Sequence, residues 1–360
     1  VGNVSPVWRL ALLGGLVLGG AAACEQGLTS APGGAVANVT QGSGSITGRV
    51  VSLAGQPIAG AQITTPAGAA AVTNADGAFI IGNLPATERL AVNVAAPGFA
   101  TGTAIYRVNS GTTSRREVVL MPRGEAVAVN AGTGGVVSFA GGGRVTIRPN
   151  AFQGVGPGEM VQVSVTYFDP ESNRQLSAAP GDFSATEQDG TASQLETAGM
   201  IDIRATNAQN APLSLAPGQT VTVNFPDRDG PAMAPWGLYS FDRTTGTWVG
   251  AGSAPADPDG TQRADIPSIN TPWNADKAMF TTCITVRVED KSTSPVAGEH
   301  VVAQGVNYAG ITPGHTDNNG SVDLLVRSSS IVDVTAGGTT QTYTTPPTST
   351  KCTFMGTFTL

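Results

Sequence analysis

His300 and His315 are the only two histidines in the 360 residues, so imidazole acid–base or zinc chemistry would have to be built around them. A zinc hydrolase commonly seats its metal on two His four apart on one helix face, as H-E-x-x-H; these two stand further apart, with no such neighbour. No G-x-S-x-G nucleophile turn and no G-x-x-x-x-G-K-[ST] phosphate loop occurs. Gly154-Val155-Gly156-Pro157-Gly158 carries a proline and has strand patterns on both sides, which makes it a turn and not a phosphate cradle. Carboxylates pair at Asp227-Arg228-Asp229-Gly230 and Asp257-Pro258-Asp259-Gly260. Calcium collects several oxygens, and neither pair has the downstream Glu of a full calcium loop, so both read as solvated turns. Trp236, Tyr239, Trp248 and Trp273 form the one aromatic cluster that could stack on sugar rings, and Trp236, Tyr239 and Trp248 are the candidate glycan contacts. The competing reading is that alternating aromatics such as Tyr239 and Phe241 fill a core. The expectation is a chain without catalytic residues, cofactor or metal, and not an enzyme.

The elements that must position these residues are strands. The 47 Gly and 24 Pro suit many short strands joined by turns and do not suit a helical protein. Aromatics are scarce at 6%, but 40% of residues are hydrophobic and Val, Ile and Leu alternate, so folded domains are expected and not disorder. The formal charge of −7, with no concentration of Lys or Arg, excludes nucleic acid as a partner, because phosphate binding needs a basic footprint.

From Ser45 the chain runs SITGRVVS, AQITT, AAAVTN, AFIIGN, RLAVNVAA, TAIYRVN and REVVLMP, each bounded by turn residues. The turn Gln56-Pro57-Ile58-Ala59-Gly60-Ala61, the Thr73-Asn74-Ala75-Asp76-Gly77-Ala78-Phe79 hairpin, Leu84-Pro85 and a strand closing on Ala96-Pro97-Gly98-Phe99 resemble the carboxypeptidase regulatory-like domain over residues 45–123. That resemblance implies a transthyretin-like β-sandwich without catalytic residues, used as an accessory module in secreted and surface proteins; Asp76 then serves the turn and not calcium. Residues 275–360 look like a degenerate second copy. Pro295-Val296-Ala297-Gly298-Glu299 repeats Pro57 to Ala61, Thr316-Asp317-Asn318-Asn319-Gly320 repeats the hairpin, and Val332 to Ala336 repeats Ala91 to Ala95. Between them, residues 125–274 are strand-rich. Gly143-Arg144-Val145-Thr146-Ile147-Arg148-Pro149-Asn150-Ala151-Phe152 resembles a β-domain of ankyrins, netrin receptors and zonula occludens proteins. The whole order is similar to the extracellular region of cartilage intermediate layer-like proteins. The fold expected is therefore all-β: tandem β-sandwiches, two transthyretin/carboxypeptidase-regulatory-like modules flanking a larger β-rich domain.

Upstream, a lone Arg9, the apolar run Leu10 to Ala23 and Ala21-Ala22-Ala23-Cys24 resemble a bacterial lipoprotein signal peptide over residues 1–24, with Ala21 where a bulky Leu is usual. That resemblance implies lipidation of Cys24; the alternative is an ordinary signal peptide with an incidental Cys. The run is too short for a spanning helix. Residues 25–44 carry no periodicity and read as a flexible tether. Glu25 in place of Asp favours the outer membrane over the inner. With Cys24 taken by lipid, Cys283 and Cys352 are left as an even pair in an oxidising compartment, either bridged or as two unpaired buried thiols. The expected function is a non-catalytic cell-envelope lipoprotein, held to the membrane by its lipid and acting as a structural, adhesive or protein-interaction module toward an envelope or surface protein or a glycan. The alternative is a carbohydrate-binding accessory lipoprotein of a polysaccharide uptake or degradation system.

Overall fold

The computed structural model describes residues 42–226, 235–349 and 351–360. Cys24, the leader, most of the tether and the Asp227–Gly230 acid pair lie outside them.

The first sandwich holds β1 (Ser43–Ser52), β2 (Gln62–Thr64), β3 (Ala70–Val72), β4 (Ala78–Pro85), β5 (Thr87–Ala95), β6 (Gly102–Val108) and β7 (Thr113–Leu120). Its sheets are ordered β4-β1-β7 and β3-β2-β5-β6, with β1 and β7 parallel. Ile46, Val50, Ile63, Phe79, Val92, Val94 and Tyr106 fill the space between them. Gly48 of β1 is required there, because a Cβ at that position would come within 2.6 Å of the Phe79 ring and 2.7 Å of the Tyr106 hydroxyl. The Asp76-Gly77 turn closes with Gly77 at φ +74°, a conformation glycine adopts without strain.

The middle segment contributes β8 (Ala126–Asn130), β9 (Gly135–Ser138), β10 (Arg144–Ile147), β11 (Met160–Phe168), α1 (Asn173–Leu176), β12 (Ser184–Thr186), β13 (Ala192–Thr206), β14 (Val221–Pro226), β15 (Trp236–Asp242), β16 (Thr247–Ala254), β17 (Thr261–Ile266) and β18 (Trp273–Ala278). One seven-stranded sheet, β12-β16-β15-β18-β13-β11-β8, faces a four-stranded sheet, β17-β14-β10-β9. The core between them includes Val145, Val163, Ile203, Phe225, Trp236 and Trp273. The helical turn α1, capped where Ser172 Oγ accepts from the Gln175 N–H, has no counterpart in the strand reading of the sequence.

The third sandwich is β19 (Thr281–Glu289), β20 (His300–Gly305), β21 (Ile311–His315), β22 (Ser321–Arg327), β23 (Ile331–Ala336), β24 (Thr339–Thr344) and β25 (Thr353–Thr359). Strict alternation of buried and half-buried residues along β19 is the period-2 pattern of a strand with one face in a core. The sheets, β22-β19-β25 and β21-β20-β23-β24, repeat the first sandwich strand for strand, including the parallel β19–β25 pair. The protein is thus all-β, two sandwiches of one topology flanking a larger β-rich domain.

A second apolar core lies on the other face of the seven-stranded sheet. Phe168, Leu176, Phe183, Leu195, Met200, Tyr239, Phe241 and Trp248 meet Val51, Ala100 and Val119 of the first sandwich and Ile311 of the third. Trp248, fully buried, sits tilted against Phe241 at 4.9 Å between centroids. Trp248→Ala is expected to cost about 3–5 kcal/mol, the usual loss for deleting a large buried aromatic, read from the denaturant midpoint of equilibrium unfolding.

Candidate functional site

The glycan platform is not formed. Trp236, Tyr239, Trp248 and Trp273 are all under 5% exposed. β15 sends Trp236 and Leu238 to one face and Tyr239 and Phe241 to the other, so the aromatics divide between the two cores of the middle domain instead of sharing an exposed face. Tyr239 Oη donates to the Glu187 carboxylate at 3.1 Å, and burial followed by that carboxylate raises its pKa. The Trp273 Nε1–H is spent on the Ser268 carbonyl at 2.8 Å.

Asp257 and Asp259 belong to a turn. The Gly260 N–H bonds to the Asp257 carbonyl, Asn224 Nδ2 donates to Asp257, and Asp259 accepts from Thr261 Oγ1 and pairs with Arg144 at 2.5 Å. Hydrogen bonds from Thr261 and Arg144 lower the Asp259 pKa. Among the described residues, the grouping with metal-ligand character is Cys283, Asp323 and Cys352. Cys283 on β19 and Cys352, one residue before β25, are joined in a disulfide with Cα atoms 4.3 Å apart, so neither thiol is available to a metal.

The residues with the most chemistry to offer are gathered where the domains meet. Arg89 of β5 forms a two-pronged pair with Asp182, at 2.5 and 2.9 Å, and also donates to the Gly246 carbonyl. Asp182 is 7% exposed, so this pair fixes the first sandwich to the middle domain in one orientation. Arg174 donates to the Leu53 and Ser52 carbonyls and to Glu117, and Arg243 to the Thr101 carbonyl. Arg327 of β22 grips Glu196 of β13 at 3.1 and 3.2 Å. Beside that pair runs an open groove of about 710 Å³, its rim carrying Glu171, Tyr308 and the exposed Phe280.

Both histidines lie on the contact between the two sandwiches. His300 and His315 are register partners on β20 and β21, with ring centroids 5.2 Å apart. His315 stacks on Tyr106 of the first sandwich at 5.1 Å and 17°, with Nε2 3.2 Å from the Arg115 carbonyl oxygen. Two backbone-directed bonds join in: the Arg115 N–H to the Gly298 carbonyl at 3.1 Å, and Asn109 Nδ2 to the Thr316 carbonyl at 2.9 Å. Burial first, then Arg116, holds both imidazoles neutral, His315 down to about 3 and His300 well below its ordinary 6.5. They are packing residues of an interface. The partner strand that the first sandwich brings to them carried no signal in the sequence.

Between pH 6.5 and about 3 the unfolded chain takes up a proton on His315 that the folded chain refuses, so stability drains as pH falls through that window. A His300→Gln/His315→Gln variant is expected to lose stability less steeply there than the native protein; parallel curves of denaturant midpoint against pH would exclude this. Replacing Cys283 and Cys352 together by Ser opens a loop of sequence separation 69 and is expected to cost about 4 kcal/mol, measured by chemical denaturation without reductant.

Residues 45–121 match the family model of the carboxypeptidase regulatory-like domain. Cartilage intermediate layer protein 2 of Mus musculus is 28% identical over 228 residues, covering 58% of this chain and 19% of that protein. The chain therefore spans about a fifth of the length of the curated relative it matches. Among solved structures, the Bacillus anthracis TIE protein aligns with 89% of this chain and 50% of its own at 11% identity and a TM-score of 0.21. BcpA, the major pilin subunit of Bacillus cereus, aligns with 88% of this chain and 99% of its own at 11% identity and a TM-score of 0.20. What the matches assign is one part of the chain: residues 45–121 are a carboxypeptidase regulatory-like domain.

Proposed function

We propose that this protein is a non-catalytic lipoprotein of the bacterial cell envelope, anchored through Cys24, that acts as a rigid structural or adhesive module and engages an envelope or surface protein. The observation that carries the reading is where its chemically capable side chains are spent. His300, His315, Arg89, Asp182, Arg327 and Glu196 all serve contacts between domains. A shared apolar core then holds the three domains as one body. The carboxypeptidase regulatory-like domain supports an accessory role and supplies no catalytic residues. Lipidation at Cys24 and an outer-membrane location rest on the leader pattern Ala21-Ala22-Ala23-Cys24. The carbohydrate-binding alternative loses its motivation with the burial of Trp236, Tyr239 and Trp248.

Protease shaving of intact cells, with Cys24→Ala as the control, tests the anchor and the exposure together. Peptides from all three domains are expected to be released from native cells, and the Cys24→Ala protein is expected to leave the membrane fraction. Protection until the envelope is opened would remove the adhesive role, and membrane retention of Cys24→Ala would remove the lipid anchor.

A further inference from the structure

The internal repeat leaves one contact used once where the chain carries the parts for it twice. In the contact that is made, the outer face of the β20–β21 hairpin of the third sandwich covers the seam between β6 and β7 of the first, with His315 on Tyr106 and Gly298 bonded to Arg115. The equivalent hairpin in the first sandwich is β2–β3, and the equivalent seam in the third is β24–β25.

The correspondence is fixed by hydrogen bonds and register. The Gly60 N–H bonds to Thr73 O and the Gly298 N–H to Thr316 O, both at 3.0 Å, in turns with φ +72° and +75°. Thr73 Oγ1 donates to the Ile58 carbonyl as Thr316 Oγ1 does to that of Val296. Gln62 pairs with Val72 as His300 pairs with His315, which places Val72 at the position of His315. Ile63 pairs with Val94 as Val301 pairs with Ala336, which moves the repeat by one residue from the alignment read in the sequence and sets Val332 against Leu90. Tyr106 opposite Leu90 then corresponds to Tyr343 opposite Val332, and Arg115 opposite Thr47 to Phe354 opposite Thr285.

The buried pair of the contact that exists thus has uncovered counterparts, one in each sandwich. Tyr106 is fully buried, whereas Tyr343 is half-buried, Val72 is 55% exposed and Phe354 is 60% exposed. Residues 61–73 contain no charged side chain, and neither do β24 (TTQTYT) or β25 (TFMGTFT). Solvent-facing edge strands are ordinarily blunted by Lys, by proline or by an inward charge. Two uncharged edges, one offering Val72 and the other Phe354 beside Tyr343, are complementary apolar surfaces.

We infer that these surfaces bind each other between copies of this chain: the β2–β3 hairpin of one molecule covers the β24–β25 seam of the next, repeating the contact already made within the molecule. The contact joins two different patches, so it is heterologous and each added copy leaves one hairpin and one seam free. The association is open-ended, head to tail. The inference rests on the repeat and does not depend on the envelope role proposed above.

Sedimentation velocity of the purified full chain tests it, with Val72→Asp spoiling the hairpin and Phe354→Asp the seam, both at exposed positions where folding is checked by circular dichroism. The native chain is expected to grow in mean mass with concentration without reaching a plateau. Each variant alone is expected to stay monomeric, and their equimolar mixture is expected to form dimers and nothing larger, since one intact hairpin and one intact seam remain. A native chain that stays monomeric, or that stops at a closed dimer, overturns the inference, as does association of either variant alone.

Discussion

Everything else in the structure depends on the apolar core behind the seven-stranded sheet. Sandwiches joined by flexible linkers behave as beads, but here Val51, Ala100 and Val119 from one sandwich and Ile311 from the other close over Phe183, Phe241 and Trp248. Non-directional burial of this kind supplies most of the driving force for docking. Directional contacts then choose the orientation. Arg89 on Asp182, Arg327 on Glu196 and the His315 stack on Tyr106 each join a different pair of domains. Each of the three has one geometry that satisfies it, and together they leave the body a single arrangement.

The two copies of the sandwich show how context shapes one topology. β6 reads GTAIYRV and is buried along nearly its whole length, because the middle domain lies on one side and β21 on the other. Its counterpart β24 reads TTQTYT and is largely exposed. The strand plan is held by what both copies keep: the hairpin with Asp or Asn before a glycine at positive φ, a tyrosine at the equivalent edge position, and the parallel closing strand. What differs is whatever touches the neighbours.

Much of the fold was legible in sequence for a simple reason: one-sided strands advertise themselves by alternation, as β19 does, and turns by residues such as Asp76-Gly77. The repeat was legible through the same turns. The glycan alternative stayed open in the sequence because an aromatic side chain carries no mark of whether its face is covered. A signal was present nonetheless. β15 has large apolar residues at both parities, Trp236 and Leu238 on one side and Tyr239 and Phe241 on the other, which is the pattern of a strand buried on both faces. The four-residue helix α1 is too short to show a helical period. Arg89 and Asp182 are 93 residues apart, and nothing local to either announces the other.

The Cys283–Cys352 bridge also has a mechanical meaning. It ties the start of β19 to the residue before β25, strands that run parallel, so a pull on the end of β25 loads the β19–β25 ladder in shear instead of unzipping it one bond at a time. Should the sandwich yield under tension, the 69-residue separation between the cysteines stays locked. At up to about 3.6 Å per residue this withholds roughly 240 Å of contour from extension. With the loop between the cysteines locked, most of the third sandwich cannot be drawn out by such a pull.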